Sequence, residues 1–182
     1  ELLLGIGGIR TIRALGLKPD LYHCNEGHAA FIGLERLREY INKENLTYPE
    51  ALEIVRSSTL FTTHTPVPAG HDYFEENMMR AYISHYPQRL KIDWKEFMNL
   101  GKMDSEQAGS KFSMSCLAVN LSMEVNGVSK LHGTVSKDMF AAMWKGFLTE
   151  EVPIGFVTNG VHLPTWVSPR WRKFYQEHLS PD

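Results

Sequence analysis

Four short polar clusters hold the side chains of this sequence that could bind or transform a ligand. They are rich in histidine, asparagine and glutamate, and each follows a segment whose pattern predicts a β-strand: residues 23–28, 62–66, 125–128 and 158–162. In an open parallel sheet the carboxyl ends of the strands meet at one edge, where loops converge and helix N-termini offer free N–H groups. We therefore expect the clusters to line one cleft, whose neutral hydrogen-bonding groups suit a sugar.

Each cluster also has a plain structural explanation. His23 lies within an apolar segment, where a histidine commonly satisfies a hydrogen bond at a strand end. Asn25 has the residue type of an N-cap for the helix that follows. Asn126-Gly127 and Asn159-Gly160 are dipeptides typical of turns. No cluster taken alone therefore identifies a site.

The hydrophobic pattern predicts strands that alternate with helices. Helices are expected over residues 2–15, 27–40, 48–55, 75–85, 93–100, 111–121, 132–143 and 169–179, and strands over residues 21–24, 59–63, 125–128 and 154–158. A capping box starts the third helix, because Thr47 is followed three residues later by Glu50. No hairpin dipeptide separates adjacent strands, so the expected fold class is α/β, with a mainly parallel sheet and flanking helices.

The composition is that of an ordinary globular chain. Its 182 residues are 43% hydrophobic and carry 19 Lys and Arg against 21 Asp and Glu, a formal charge of −2 without a block of one sign. We therefore expect no nucleic-acid partner and no membrane partner. The two cysteines, Cys24 and Cys116, are too few for a disulfide framework, which favours a reducing compartment and hence the cytoplasm. The chain opens at Glu1 rather than Met, so we expect a piece of a longer protein.

Eight histidines raise the alternative of a metal site. The candidate ligands are His23, His28, His64 and His71, but no pair among them has the i, i+4 spacing of a helical zinc motif. We therefore expect no metal. The glycines within residues 4–8 resemble a dinucleotide-binding loop only superficially, because no strand precedes them.

Taken together and in order, the motifs resemble one family. The segments HCNEGHAAF (23–31), FTTHTPVPAGHD (61–72), EVNGVSKLH (124–132) and VTNGVHLPTW (157–166) are similar to the α-glucan phosphorylases in their shorter bacterial and archaeal form. The likeness implies two Rossmann-like domains that face each other across a cleft, the glycosyltransferase B (GT-B) architecture. Residues 1–125 would then be the C-terminal part of the N-terminal domain, and residues 126–182 the interdomain hinge and the start of the second domain.

The resemblance also implies a reaction, the reversible phosphorolysis of the terminal α-1,4-linked glucose of a glucan by inorganic phosphate, which gives glucose 1-phosphate with retention at C1. His64 is the catalytic candidate, since its side chain would bind the glucose 6-hydroxyl and its main-chain carbonyl would lie near the anomeric carbon. Asn126 would share that hydroxyl. Glu26 and His28 would line the pocket beside the anomeric carbon, although Glu26 stands where the longer animal enzymes have Asp.

The implied cofactor is pyridoxal 5′-phosphate, whose phosphate exchanges a proton with the substrate phosphate. Its lysine belongs to a Gly- and Asn-rich motif that this chain does not contain, so we expect no cofactor-binding residue here and an inactive isolated chain. Two alternatives stay open: a nucleotide-sugar glucosyltransferase of the glycogen or starch synthase type, and a noncatalytic carbohydrate-binding fragment. Synthases usually carry Asp-Trp-His where residues 25–28 read Asn-Glu-Gly-His, which favours the phosphorylase. The sequence allows a homo-oligomer without indicating one.

Overall fold

The computed structural model describes residues 1–104 and 111–179, which form an α/β fold and confirm the expected fold class. The strands are β1 (Tyr22–Asn25), β2 (Thr59–Thr62), β3 (Tyr73–Phe74), β4 (Phe112–Ser113), β5 (Glu124–Gly127) and β6 (Gly155–Phe156). The helices are α1 (Gly8–Ala14), α2 (Phe31–Lys43), α3 (Tyr48–Ser57), α4 (Glu76–Ile83), α5 (Tyr86–Leu90), α6 (Trp94–Asn99), α7 (Met114–Asn120), α8 (Lys130–Phe140), α9 (Leu163–Trp166) and α10 (Pro169–His178).

The central sheet is parallel and has the strand order β1-β2-β5-β6. Asn25 pairs with Thr62, Thr62 with Asn126, and Asn126 with Gly155. Parallel neighbours require long crossovers, which here contain α2 and α3 between β1 and β2, and α8 between β5 and β6. The carboxyl ends of β1, β2 and β5 consequently lie side by side, as the positions of the polar clusters predicted.

One face of this sheet packs against the helices. Cys24, Phe61 and Val125 point into the hydrophobic core and are each no more than 5% exposed. On the opposite face, His23 and Glu124 are exposed. Parallel sheets are usually covered on both faces, whereas in the described part of this chain the second face is partly exposed to solvent.

The N-terminal helical segment explains the glycines that resembled a nucleotide-binding loop. A π-helical turn, Leu3–Gly7, runs directly into α1. A Cβ atom added at Gly5 would lie 2.7 Å from the Cβ atom of Phe31 in α2. Gly5 therefore allows this turn to approach α2 closely, which is a packing role.

The third helix begins as predicted. The Thr47 N–H donates to the Glu50 carboxylate at 2.8 Å, and the capping box is complete. Local signals of this kind depend only on residues within one helical turn, which is why the sequence reveals them.

The antiparallel pair of β3 and β4 was not predicted, and the helix expected from residue 111 is wrong at its start. Tyr73 pairs with Ser113 and Phe74 with Phe112, so residues 112–113 are extended. Helix α7 begins at Met114, where the Ser113 hydroxyl caps the N–H of Cys116. A strand of two residues leaves no alternation for a pattern to detect.

Side chains near the start of α7 are buried, whereas those of α4 are only partly so. Phe112 and Met114 are fully buried. Met79 of α4 is also buried, whereas its neighbours Met78 and Tyr82 are 49% and 67% exposed. Those two side chains border an apolar groove next to the N-terminal turn, lined by Glu1, Leu2, Leu3, Phe31, Phe74, Met78, Met79, Tyr82 and Ile83.

A buried carboxylate ties three helices together. Glu35 in α2 accepts hydrogen bonds from Arg10 of α1 at 2.9 Å, from Arg38 at 2.9 and 3.0 Å, and from the Tyr86 hydroxyl of α5 at 2.5 Å. Burial alone would raise the pKa of Glu35, but the hydrogen bonds from Arg38, Arg10 and Tyr86 lower it to about 2. The ionised carboxylate therefore stabilises the native packing at neutral pH.

The sheet continues across the domain boundary proposed from the sequence. β5 starts at Glu124 and pairs with β6 through Asn126 and Gly127, so residues on both sides of the division at 125/126 share one sheet. Residues 157–179, which include α9 and α10, contain no buried side chain. The division into residues 1–125 and 126–182 stays a prediction. In the described ranges, no helix is both long and apolar enough to span a bilayer.

Candidate functional site

Glu26 and His64 meet at the carboxyl edge of the sheet. β1 ends at Asn25 and β2 at Thr62, so the two residues follow neighbouring strands. The Glu26 carboxylate accepts hydrogen bonds from the backbone N–H of His64 and, at 3.2 Å, from the Thr65 hydroxyl. Glu26 thereby anchors the loop that leaves β2, while the His64 side chain stays exposed.

The backbone of Glu26 is strained. Its φ of 65° and ψ of 169° lie in a region that is essentially restricted to glycine. A non-glycine residue there costs roughly 1–3 kcal/mol and persists only where the surrounding structure holds it. The bonds of the carboxylate to His64 and Thr65 supply that hold, and backbone strain of this kind concentrates at functional sites.

Asn126 reaches the same edge through a chain of hydrogen bonds across three strands. The Thr62 hydroxyl donates to Asn126 Oδ1 at 2.9 Å, and His23 Nε2 lies 2.7 Å from that hydroxyl oxygen. Because the Thr62 proton is given to Asn126, Nε2 of His23 must carry the proton that completes the chain. The backbone N–H of Thr63, next to His64, donates to the Asn126 carbonyl at 3.0 Å.

These contacts leave the Asn126 side chain oriented but not saturated. Its Nδ2 atom donates to the Gly127 carbonyl at 3.1 Å. An amide nitrogen has two N–H groups, and only this one bond is made by Nδ2 of Asn126 within the part of the chain that the structure describes. His23 fulfils the structural role considered for it, whereas the N-cap role considered for Asn25 is wrong: the N-cap of the short helix Gly27–Ala29 is Glu26, and no side chain caps it.

A small cavity beside Glu26 adds residues that sequence analysis did not assign to the site. Its volume is about 90 Å³, and it is lined by Glu26, Gly27, His28, Thr65, Gly70, His71, Asp72 and Ser115. Glu26 and His28, both expected next to the anomeric carbon, thus share one cavity; His64 and Asn126 do not line it. The cavity is smaller than the roughly 300 Å³ at which ligand pockets begin, so it is not a complete ligand pocket by itself.

His71 is the least expected member of this cavity. It is buried, its Nδ1 lies 2.6 Å from the Ser115 hydroxyl oxygen, and its Nε2 lies 3.3 Å from the sulfur of Met139. Burial lowers the pKa of His71 below its ordinary value. Sequence analysis named His71 only among the candidate metal ligands and did not name Ser115. Their contact joins residues 44 positions apart, which no local pattern predicts.

The other polar features occupy defined places. The fourth cluster is exposed, and the N–H of Asn159 donates to the Val128 carbonyl at 3.0 Å, which places it beside the third cluster. Among residues 1–104 and 111–179, no three His, Cys, Asp or Glu side chains are arranged to hold a metal ion.

Comparison with known sequences agrees with the motifs. The sequence signature of the family described as carbohydrate phosphorylase matches residues 17–179. The chain is 44% identical over 195 residues to a glycogen phosphorylase of Mycobacterium tuberculosis, covering 100% of this chain and 22% of that protein. It is 42% identical over 179 residues to a maltodextrin phosphorylase of Thermococcus litoralis, covering 98% and 21%.

A third relative, a glycogen phosphorylase of Aquifex aeolicus, is 33% identical over 179 residues, covering 98% of this chain and 25% of that protein. The chain thus spans about a fifth to a quarter of the length of these relatives. The family signature nevertheless covers most of its residues, from the turn before β1 to the end of α10. The chain therefore belongs to the carbohydrate phosphorylase family.

Proposed function

We propose that this chain is part of an α-glucan phosphorylase, which uses inorganic phosphate to release the terminal α-1,4-linked glucose of a glucan as glucose 1-phosphate. The observation that carries the proposal is the arrangement of Glu26, His64 and Asn126 around the carboxyl ends of three adjacent parallel strands. Relatives named glycogen phosphorylase and maltodextrin phosphorylase support the choice of substrate class.

His64 is the group that the rest of the site holds in place. The Glu26 carboxylate binds its N–H, and the preceding residue, Thr63, donates to Asn126. With its backbone held on both sides, the His64 carbonyl can act as a fixed dipole beside the anomeric carbon, where positive charge develops during glycosyl transfer. A dipole that is already oriented needs no rearrangement during the reaction.

Asn126 and His64 together account for recognition of the glucose 6-hydroxyl. The bonds of Asn126 Oδ1 to the Thr62 hydroxyl and of Nδ2 to the Gly127 carbonyl fix the orientation of the second N–H of this amide. A hydroxyl that satisfies two such groups is recognised sharply, because an analogue without it leaves them unpaired. His28 lies on the other side of Glu26, in the small cavity, and completes the lining on the anomeric side.

Pyridoxal phosphate is part of the proposal for the whole enzyme, and the cavity beside Glu26 is the part of this chain that we compare with its requirements. The coenzyme requires a lysine for its Schiff base, and no lysine lines the cavity shared by Glu26 and His28. We assign the coenzyme lysine to a part of the enzyme other than this chain. We also assign the enzyme to the cytoplasm, since both Cys24 and Cys116 are free and buried.

The test is phosphate-driven release of glucose 1-phosphate from maltodextrin by the full-length protein that contains this chain. Replacing His64 with Ala should lower kcat/KM by about 100-fold, because the 6-hydroxyl loses a partner in the site, while circular dichroism stays unchanged. The matched control is His85, an exposed histidine between α4 and α5 that does not line the cavity beside Glu26, and His85→Ala should keep wild-type activity. Strict dependence on a nucleotide-sugar donor, with no release by phosphate, would instead support the synthase alternative.

A further inference from the structure

The loop that carries His64 is held at both of its ends. It leaves β2 at residue 63 and reaches β3 at residue 73. At its first end the backbone N–H of His64 donates to the Glu26 carboxylate. At its last end His71 contacts Ser115, which packs against Gly27. The first end of the loop thus contacts the turn formed by Glu26 and Gly27 directly, and the last end contacts it through Ser115.

The contact between Ser115 and Gly27 is close. A Cβ atom at position 27 would lie 2.9 Å from the Ser115 hydroxyl oxygen and 3.0 Å from the Ser115 backbone nitrogen. That same hydroxyl oxygen is 2.6 Å from His71 Nδ1. The Ser115 hydroxyl therefore contacts His71 on one side and lies against the turn at Gly27 on the other.

The direction of the hydrogen bond follows from the second nitrogen of His71. A thioether sulfur accepts but does not donate, so Nε2, at 3.3 Å from Met139 Sδ, carries the proton of the neutral ring. Nδ1 then accepts from the Ser115 hydroxyl. The ring also meets Phe140 edge-on, with the ring centroids 5.6 Å apart, and the titratable groups that act on it are Glu26, Asp72 and His132.

His71 does more than fill space in the core. His71 is 8% exposed and packs between Met139 and Phe140, where an apolar side chain would avoid the cost of burying a polar ring. What an apolar side chain could not provide is Nδ1, which accepts the hydrogen bond from the Ser115 hydroxyl. The loop end also has a separate backbone attachment, since the Met114 N–H donates to the Asp72 carbonyl at 3.1 Å.

We propose that His71 is a positioning residue for the glucose pocket: by fixing Ser115 against Gly27 it sets the turn that carries Glu26, and through the Glu26 carboxylate it sets His64. The proposal rests on the phosphorylase function proposed above. In this proposal His71 acts through Ser115 and Glu26 and not by binding the glucose itself.

The experiment compares glucose 1-phosphate with 6-deoxyglucose 1-phosphate in the synthesis direction, with maltodextrin as acceptor and released phosphate as the measurement. His71→Leu in the full-length protein should lower kcat/KM for glucose 1-phosphate about 10-fold to 100-fold. The loss for the 6-deoxy substrate should be smaller, because the misplaced His64 side chain has no hydroxyl to bind. His71→Asn, which keeps an acceptor near Nδ1, should recover most of the activity, and His85→Asn serves as the control.

Ser115→Ala should reproduce His71→Leu, and the double variant should be no worse than the worse single variant, because both changes break the same contact. Equal losses on the two substrates, or additive effects of the two changes, would refute the positioning role.

Hydrogen exchange separates this proposal from the phosphorylase function itself. In the wild-type protein the amides of Thr63 and His64 should be protected by their bonds to Asn126 and Glu26, and His71→Leu should speed their exchange about 10-fold or more. Ser57→Ala, at an exposed serine of α3, should leave that exchange unchanged. If the full-length wild-type protein lacks phosphorylase activity but the exchange result holds, only the proposed function fails. Unchanged exchange in His71→Leu would overturn the positioning role.

Discussion

The strained backbone at Glu26 leads to a prediction about stability. At this position the Gly variant should be more stable than the Ala variant, which is the reverse of the order expected inside a helix. Replacing Glu26 with either Ala or Gly removes the carboxylate that binds the His64 N–H and the Thr65 hydroxyl. Only Gly also relieves the backbone, which has φ 65° and ψ 169°. The difference in stability between the two variants therefore isolates the strain from the lost hydrogen bonds.

The expected difference can be worked out from two opposing effects. Relief of a backbone conformation in this region is worth roughly 1–3 kcal/mol. Glycine also makes the unfolded chain more flexible, which costs about 0.4–1 kcal/mol relative to Ala. Glu26→Gly should therefore be more stable than Glu26→Ala by roughly 0–2.6 kcal/mol, with a middle value of about 1.3 kcal/mol.

Urea unfolding of the 182-residue chain, followed by tryptophan fluorescence, measures this difference. Glu53 is the matched control, because it is an exposed glutamate inside α3. There the order should reverse, with Ala more stable than Gly by about 1 kcal/mol. If Ala exceeds Gly in stability at position 26 as well, the backbone of Glu26 is not strained and the argument from its backbone conformation is refuted.

Two further changes test the packing that supports the site. Glu35→Gln should destabilise the chain by about 3 kcal/mol at pH 7, since the pKa of Glu35 falls from 4.5 to about 2 on folding. This contribution to stability is complete above pH 4.5 and is lost as the pH falls toward 2. The urea midpoints of wild type and variant should therefore converge at low pH. An undiminished gap at low pH would contradict this. Gly27→Ala should lower the stability of the fold by about 1–3 kcal/mol, because the new Cβ would meet Ser115. Gly8→Ala in α1 is the control: a Cβ there meets no atom within 4 Å, so this change should raise stability by up to about 1 kcal/mol. Equal effects at the two glycines would show that the turn yields to Ser115.

Much of the fold was accessible from the sequence because its signals are local. The strands β1, β2, β5 and β6 appear as short apolar segments that end in polar clusters, and helices α2, α3 and α8 show their apolar spacing or their caps. The rule that parallel strands place their carboxyl ends at one edge was enough to bring Glu26, His64 and Asn126 together. The family resemblance then named the chemistry that such an edge could perform.

The tertiary structure alone decided which atoms meet. The contact of Glu26 with the His64 backbone spans 38 positions, and the chain from Thr62 to Asn126 spans 64. Contacts of this range depend on sheet register and on how helices pack, which no local pattern encodes. For the same reason the sequence did not reveal that Glu26 adopts a glycine-like backbone, or that His71 reaches Ser115.

The sequence by itself thus determined the order of elements, the parallel sheet and the family, because periodicity, caps and motifs are properties of neighbouring residues. Only the tertiary structure decided that a loop clamped at both ends carries His64. The packing of the core brings the Glu26 carboxylate to one end of this loop and Ser115 to the other, and these two contacts hold it.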